Sequence, residues 1–143
     1  MRCSLDQNQE SQAETKWTKK LIDSGWTTIP NVIFERQSDL GITPIDMSII
    51  INITGYWWKP NNLPFPTKES LAKSIGVSTR TIQRRITELE KNGLITRIKR
   101  VSAKGKYLSN AYSLSGLIEK ATPLAEEKLA LREIKKTKAS HLS

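Results

Sequence analysis

The sequence has a single cysteine and a single histidine among its 143 residues, Cys3 and His141. One cysteine cannot form an internal disulfide, and the two residues together are too few for a structural zinc site. The sequence also lacks a Gly-rich phosphate-binding loop, and it offers no histidine for acid–base work in the region expected to fold. These absences predict a protein that is not an enzyme and uses no metal or cofactor. We assign Cys3 no role.

Long apolar runs are missing as well. The longest, such as Ile49–Ile51, are far shorter than the roughly 20 residues that cross a bilayer. The first residues are polar and lack the apolar core of a signal peptide. We therefore expect no membrane contact and a cytoplasmic location.

Positive charge is abundant, and it is concentrated in one segment. The net charge is +9. Residues 1–66 carry six basic and seven acidic groups, whereas residues 78–106 carry nine basic groups and two acidic ones. Such a segment attracts a polyanion, because each neutralised phosphate releases a condensed counterion. Nucleic acid is the expected partner, and a basic face that serves only solubility is the alternative, so the fold pattern must decide between them.

Hydrophobic periodicity divides the chain into a principal domain with extensions at both ends. The N-terminal residues are polar and show no period, whereas Trp17, Leu21 and Ile22 have helical spacing. We predict a disordered arm, a helical extension that packs on the core, the principal domain, a second helical extension and a polar tail, at residues 1–15, 16–42, 43–114, 115–137 and 138–143, respectively.

Capping signals predict three helices in the principal domain. Thr43 is a suitable N-cap with Pro44 at the first helical position, and this helix should run to about Trp58. Thr67 should cap a second helix that breaks at Gly76, and Ser78 a third. Between the first two, residues 63–66 are too rich in proline for a helix and predict an edge strand or an extended connector.

A basic β-hairpin should follow the third helix. The pair Asn92–Gly93 is a typical helix stop, and residues 94–101 then fit a half-exposed strand. A flexible basic loop around Gly105 leads to a returning strand at residues 110–114. The resulting order is helix, turn, helix and wing.

A known family has a similar pattern. The bacterial winged helix-turn-helix proteins resemble this chain in the stretch from Ser70 to Ile95, SLAKSIGVSTRTIQRRITELEKNGLI, and in the returning strand Asn110–Leu114. The resemblance covers residues 43–114. It implies a mainly α fold with a small β-hairpin wing, here carrying N- and C-terminal helical extensions, and it implies binding to double-stranded DNA.

A narrower resemblance lies outside this window. The stretches Gly25–Asn31 and Tyr56–Trp58 are similar to helix-turn-helix proteins of phages, plasmids and other mobile elements, some of them linked to replication initiation.

Arg85 departs from the simplest helix-turn-helix pattern, which has an apolar residue at that position. This chain uses Ile86 instead, as many winged members do.

Helical geometry selects the candidate DNA contacts. The stripe Ile82, Ile86 and Leu89 defines the inward direction of the third helix, and steps of about 100° per residue turn Arg80 and Arg84 outward. Arginine, glutamine and threonine can read base edges in a major groove. We expect base contacts from Arg80, Thr81, Gln83 and Arg84. Helix N-termini favour phosphate, and we expect phosphate contacts there from Lys68, Ser78 and Thr79. A further phosphate contact is expected from Thr87 on the flank of the third helix. Wing contacts to the backbone or minor groove are expected from Arg97, Lys99, Arg100, Lys104 and Lys106.

Two features leave alternatives open. The aromatic residues Trp17, Trp26, Tyr56, Trp57 and Trp58 could form a platform for single-stranded DNA, although packing in the core or at a contact between segments or copies is the preferred interpretation. Leu124 and Leu131 lie seven apart, which suggests a partner helix and a possible homodimer.

Sequence-specific binding of double-stranded DNA is the leading hypothesis, with transcriptional regulation as its purpose. A replication-initiation or origin-binding protein of a phage or plasmid is the first alternative. A winged-helix adaptor that binds other proteins is the second.

Overall fold

The computed structural model describes residues 7–142, without the side chains of residues 7–11 and 142. Cys3, with the rest of residues 1–6 and Ser143, lies outside the described residues. Within them the chain forms seven helices and two strands: α1 (Gln7–Trp17), α2 (Lys19–Asp23), α3 (Asn31–Glu35), α4 (Pro44–Gly55), α5 (Lys68–Ile75), α6 (Thr79–Lys91), β1 (Thr96–Ile98), β2 (Ala111–Ser113) and α7 (Ser115–Leu142).

The core lies between α4, α5 and α6. Ile49 and Ile53 of α4 and Ile82 of α6 have no exposed surface, because apolar residues at steps of three and four share one face of a helix. Burial of several such side chains, each worth about 1.5–3 kcal/mol, holds the three helices together. The surrounding core side chains come from α3, α5, α6, the hairpin and the start of α7: Val32, Ile33, Leu71, Ala72, Ile86, Leu89, Leu94, Ile95, Tyr112, Leu114, Leu117 and Ala121.

The predicted caps begin all three core helices. Thr43 accepts a hydrogen bond from the backbone N–H of Asp46 at 3.2 Å, and the Asp46 carboxylate accepts one from the Thr43 N–H at 3.0 Å. This reciprocal pair is a capping box. Thr67 and Ser78 cap α5 and α6 in the same sense. The starts of these three helices can therefore be predicted from the sequence.

A tight turn joins α5 to α6. Gly76 has φ +83°, a left-handed conformation that glycine adopts without steric cost. Its N–H donates to the carbonyl of Ala72 at 2.9 Å, and the N–H of Val77 donates to the same oxygen at 3.2 Å. These bonds close α5 and set the angle at which α6 leaves.

The hairpin is regular only near its base. β1 and β2 pair antiparallel with Arg97 opposite Tyr112, and an isolated bridge joins Val101 to Tyr107. The predicted strand of residues 94–101 is too long at its start. The N–H groups of Leu94 and Ile95 donate to the carbonyl of Leu89 instead, closing the end of α6.

Residues 63–66 form an extended connector, the second of the two predicted possibilities. The backbone N–H of Tyr112 donates to the carbonyl of Pro64 at 2.9 Å, which holds the connector against β2. Pro64 and Pro66 are buried there. The connector therefore lies beside the base of the wing.

Both terminal segments are more helical than predicted. The arm expected to be disordered at residues 1–15 is helical from Gln7, because glutamine, glutamate and alanine favour helix even without an apolar face. Helix α7 runs unbroken through Pro123 to Leu142, past the tail predicted at residues 138–143. Ion pairs of Lys128 with Glu35, at 2.6 Å, and of Glu127 with Arg36, at 3.6 Å, hold the middle of α7 to α3.

In the described part of the chain, no helix combines the length and the apolar character that a membrane span needs.

Candidate nucleic-acid interface

The outer face of α6 carries two free arginines. Arg80 and Arg84 are exposed and lie one turn apart, directly opposite the buried stripe of Ile82 and Ile86. Neither guanidinium forms a hydrogen bond or ion pair with any residue that the structure describes, whereas several other arginines do. Both side chains are therefore available to a ligand, as the sequence predicted from helical spacing.

Thr81, Gln83 and Thr87 are less available than the sequence suggested. Thr81 is half-buried, and its hydroxyl lies 3.0 Å from that of Ser78. Gln83 is half-buried too, and its Oε1 is buried without a hydrogen-bond partner among the described residues. The hydroxyl of Thr87 donates to the carbonyl of Gln83 at 2.8 Å. These three side chains lie on the flanks of the face, and Arg80 and Arg84 lie at its centre.

Three of the four predicted phosphate-binding residues lie at the N-termini of α5 and α6, whereas Thr87 lies in the second half of α6. The Ser78 hydroxyl accepts the backbone N–H of Thr81 at 3.1 Å, so this oxygen is used in capping. Thr79 is exposed at the first position of α6, and Lys68 is half-buried at the first position of α5. The positive ends of helix dipoles are favourable positions for anions. Of the four residues expected to bind phosphate, Thr79 and Lys68 retain the geometry for it.

The wing presents three lysines to solvent. Lys99, Lys104 and Lys106 are exposed, and no described residue pairs with any of them. The turn between them is closed by the N–H of Lys106 donating to the Ser102 hydroxyl at 3.1 Å, and Gly105 has φ +80°. The tip of the hairpin therefore has a defined turn, and its lysines have no acidic partner among the described residues.

Arg97 has a partner inside the molecule. Its Nη2 and Nε donate to one carboxylate oxygen of Glu90, at 2.8 and 3.2 Å, and its backbone N–H donates to the other at 2.9 Å. These hydrogen bonds lower the pKa of Glu90 below its usual range and raise the pKa of Arg97. The pair joins the end of α6 to β1, so Arg97, which was predicted as a wing contact to DNA, also holds the base of the wing in position.

Arg100 is also held by neighbours. Its guanidinium carbon lies 3.8 Å from the centre of the Phe65 ring, a cation–π distance. Its Nη1 lies 3.2 Å from both the carbonyl oxygen and the hydroxyl of Ser109. This arginine joins the wing to the connector, and it is less free than the lysines nearer the tip.

Arg85 forms a contact that the sequence analysis missed. Its Nε and Nη2 donate to the two carboxylate oxygens of Asp46 at 2.8 and 2.9 Å, although 39 positions separate the residues. Asp46 is fully buried. Burial raises the pKa of this carboxyl, but hydrogen bonds from Arg85 and Thr43 outweigh burial, and the pKa lies below its ordinary value.

This pair explains the departure of Arg85 from the helix-turn-helix pattern. The bidentate ion pair ties the start of α4 to the middle of α6, where an apolar residue would otherwise pack. The signal available in the sequence was a charged residue at a position beside the buried stripe, together with an aspartate in a capping box. Neither feature alone identifies the other residue as its partner.

Comparison with known proteins agrees with this geometry. The family model of the helix-turn-helix domain matches residues 40–95. This segment is therefore similar to the helix-turn-helix domains of that family. With the hairpin of β1 and β2 directly after it, the fold is a winged helix-turn-helix, as predicted. No curated protein matches the sequence.

Three solved structures illustrate what the chain is similar to. The N-terminal domain of DnaD protein from Geobacillus kaustophilus is 19% identical, with a TM-score of 0.58 over 82% of this chain and 96% of that chain. MepR of S. aureus, in a complex with DNA, is 20% identical with a TM-score of 0.45, over 78% of this chain and 87% of that chain. The transcriptional regulator PA3341 is 20% identical with a TM-score of 0.42, over 84% and 75% of the respective chains. At 19% identity, the likeness to the DnaD domain concerns the fold alone.

The described residues do not provide the ligand cluster of a metal site. They contain no group of three or more histidine, cysteine, aspartate and glutamate side chains that could hold a metal ion. The buried carboxylate, Asp46, is engaged by Arg85 and Thr43. The exposed, unpaired cations of α6 and the wing remain the best candidate interface.

Proposed function

We propose that this protein binds double-stranded DNA at specific sites, with α6 in the major groove and the wing on the backbone or in the adjacent minor groove. The observation that carries the proposal is the pair Arg80 and Arg84, exposed at the centre of the outer face of α6 and without a partner inside the described structure. An unpaired arginine can form two hydrogen bonds with the O6 and N7 atoms of guanine.

The division of the basic residues supports two different roles. Arg80 and Arg84 stand on a rigid helix and are suited to reading base edges. Lys99, Lys104 and Lys106 stand on a hairpin and carry point charges, which suit phosphate. Arg85 and Arg97 keep the helix and the wing in position and would contribute to DNA binding indirectly.

Transcriptional regulation is the purpose that we propose for this binding. A fold of this kind places one recognition helix in each half-site, and a dimer would read a two-fold symmetric operator. The long helix α7 carries exposed Leu129, Leu131 and Ile134 in its distal half, which could form the dimer contact. The homodimer is part of this proposal.

Binding at a replication origin is the second candidate. The resemblance of Gly25–Asn31 and Tyr56–Trp58 to proteins of mobile elements favours it, and so does the fold similarity to the N-terminal domain of DnaD over most of both chains. An initiator should prefer repeated sites, whereas a dimeric regulator should prefer a symmetric one.

Selection from a random duplex library tests the proposal and separates its two versions. The expected result is enrichment of a defined motif, with a two-fold symmetric arrangement for a regulator or direct repeats for an initiator. Enrichment of no motif, with no retention of duplex at low salt, would contradict DNA binding and favour the protein-interaction adaptor.

A further inference from the structure

An open cleft with a volume of about 510 Å³ lies beside the base of the wing. It is bounded by the end of α4, the connector of residues 63–66, the start of α5 and the hairpin. Three aromatic side chains line it, Tyr56, Trp58 and Phe65, and each leaves 44–48% of its surface exposed. Core packing, which the sequence analysis preferred for Tyr56 and Trp58, therefore accounts for only part of their surface.

Hydrogen bonds tie two of these rings to the protein. The indole Nε1 of Trp58 donates to the carbonyl of Gly55 at 2.8 Å. The hydroxyl of Tyr56 lies 3.4 Å from that of Ser70 at the start of α5. The polar edge of each ring has a partner while much of the ring surface remains exposed. Because the fold already orders these rings, a ligand that binds them would lose less free energy to side-chain ordering.

Arg100 adds a positive charge with spare donors. Its guanidinium carbon lies 3.8 Å from the centre of Phe65, and the Ser109 hydroxyl, which is close to Arg100 Nη1, donates to the Phe65 carbonyl at 3.0 Å. The Nε and Nη2 atoms of Arg100 donate to no residue within the described part of the chain. The cleft thus combines exposed aromatic rings with an arginine fixed in orientation.

We propose that this cleft binds an unpaired nucleotide, with its base stacked on the exposed rings and its phosphate near Arg100. Aromatic rings beside a positive charge are the usual means of holding single-stranded nucleic acid. The charge selects this occupant over a second copy of the chain, because each copy carries a net charge of +9. The cleft also includes Thr67 and lies beside Lys68, one of the proposed phosphate contacts.

The inference rests in part on the proposed function, because it places the unpaired nucleotide beside a duplex site. A protein with both sites would hold the junction between double-stranded and single-stranded DNA. The duplex would occupy α6 and the wing, and the free strand would enter the cleft.

Fluorescence anisotropy on the full chain tests the cleft. The probes are labelled oligothymidylate of about 12 nucleotides, within the usual site size for single strands, and a labelled duplex of random sequence. Trp58→Ala and Phe65→Ala should each weaken binding of the single strand by at least about fivefold, the loss expected when a base loses its aromatic platform. Trp58→Ala should bind the duplex as the unaltered protein does, whereas Phe65→Ala also removes the contact that joins Arg100 of the wing to the connector.

Trp17→Ala is the matched control. Trp17 is 56% exposed at the end of α1 and is not among the residues that line the cleft. Its removal should change neither affinity. Unchanged binding of the single strand by both cleft variants would overturn the proposal, and so would equal losses on single strand and duplex in Trp58→Ala.

Tryptophan fluorescence gives a second readout that does not depend on a truncated side chain. Trp58→Phe keeps an aromatic face and should retain binding of oligothymidylate, whereas the quenching caused by base stacking should fall. Quenching that persists undiminished in Trp58→Phe would place the bases elsewhere and contradict the proposal. Oligouridylate of equal length shows whether the nucleotide can come from RNA, and equal binding with the same dependence on Trp58 supports the cleft for both strand types.

The two proposals fail in different ways. If the protein binds oligothymidylate through Trp58 and Phe65 but retains no duplex, the proposed function is wrong and the cleft stands. If it binds duplex but no single strand, the cleft proposal is wrong and the proposed function stands.

Discussion

At the scale of single residues, the structure separates arginines that look alike in the sequence. Arg84 is exposed and unpaired among the described residues, whereas the adjacent Arg85 is bound to the buried carboxylate of Asp46. One position along a helix turns a side chain by about 100°, which is enough to move it from the exposed outer face to the side of the core. The two residues should therefore respond to substitution in opposite ways.

Arg84→Ala should weaken binding to the selected duplex without affecting stability. Loss of a bidentate contact to guanine costs about 1–3 kcal/mol of discrimination, so the affinity for random duplex should fall much less. Competition binding with the two duplexes measures the difference. Arg132→Ala, which removes an exposed arginine from α7, is the control and should have a smaller effect on both. Equal losses from Arg84→Ala on both duplexes would rule out its reading of bases.

Asp46→Asn should lower the free energy of unfolding at pH 7 by about 3 kcal/mol, because a partly buried guanidinium loses its counter-charge. The folded-state pKa of Asp46 lies below its ordinary value. The stability gained from its ionisation is therefore complete above the unfolded pKa of about 3.9, and it is lost as the pH falls through the folded pKa. Urea unfolding at several pH values should show the difference between the variant and the unaltered protein shrinking in acid.

Glu126→Gln is the control for this experiment, since Glu126 is exposed on α7. It should leave the unfolding curve close to that of the unaltered protein at every pH. A constant difference between Asp46→Asn and the unaltered protein from pH 7 into acid would contradict the assigned role of the carboxylate.

At the scale of elements, the residues that hold the wing in position differ from those that carry its unpaired charge. Arg97 and Glu90 fix the base of the hairpin to the end of α6, and the lysines toward the tip remain free. The element can therefore be altered in charge without losing its position.

Lys104→Ala combined with Lys106→Ala should weaken binding of specific and random duplex alike. Each lysine that neutralises a phosphate contributes about one unit to the slope of log affinity against log salt, so the double variant should be flatter by about two units. Titrations at a series of salt concentrations measure the slope. An unchanged slope would show that the tip of the wing does not contact the backbone.

Arg97→Ala should lower stability and change DNA binding only through the position of the wing. The side chain leaves a Glu90 carboxylate without its main partner. We expect a loss of about 1 kcal/mol in the free energy of unfolding, because the pair is partly exposed, and a salt slope that stays close to that of the unaltered protein. Lys99→Ala, on the same hairpin, should instead leave the stability unchanged and flatten the salt slope. A flatter salt dependence in Arg97→Ala, with no change in stability, would contradict this role and indicate that Arg97 contacts DNA directly.

The elements that the sequence predicted well are those with local signals. Thr43, Thr67 and Ser78 begin α4, α5 and α6 as expected, because a capping side chain acts on residues two or three positions away. The pairing of Asp46 with Arg85 could not be predicted in this way, since it depends on how two helices pack. Helix α1 and the end of α7 were missed because their helicity comes from residue propensity and not from an apolar face.

At the scale of the whole molecule, the positive charge and the fold both indicate double-stranded DNA as the partner. The excess charge of residues 78–106 falls on the second helix of the helix-turn-helix and on the wing. Charge and spacing predicted this interface from the sequence. Which basic side chains are free and which hold the structure together emerged only from the tertiary contacts.

The salt dependence of duplex binding by the unaltered protein is the most direct test of the central claim, that the outer face of α6 and the wing bind duplex DNA. With Lys68 and the three wing lysines on phosphates, log affinity should fall linearly with log salt, with a slope of about −3 to −4. Arg84→Ala should keep this slope while losing the preference for the selected duplex. Duplex binding that is undetectable at low salt, or that does not weaken as salt rises, would contradict the account.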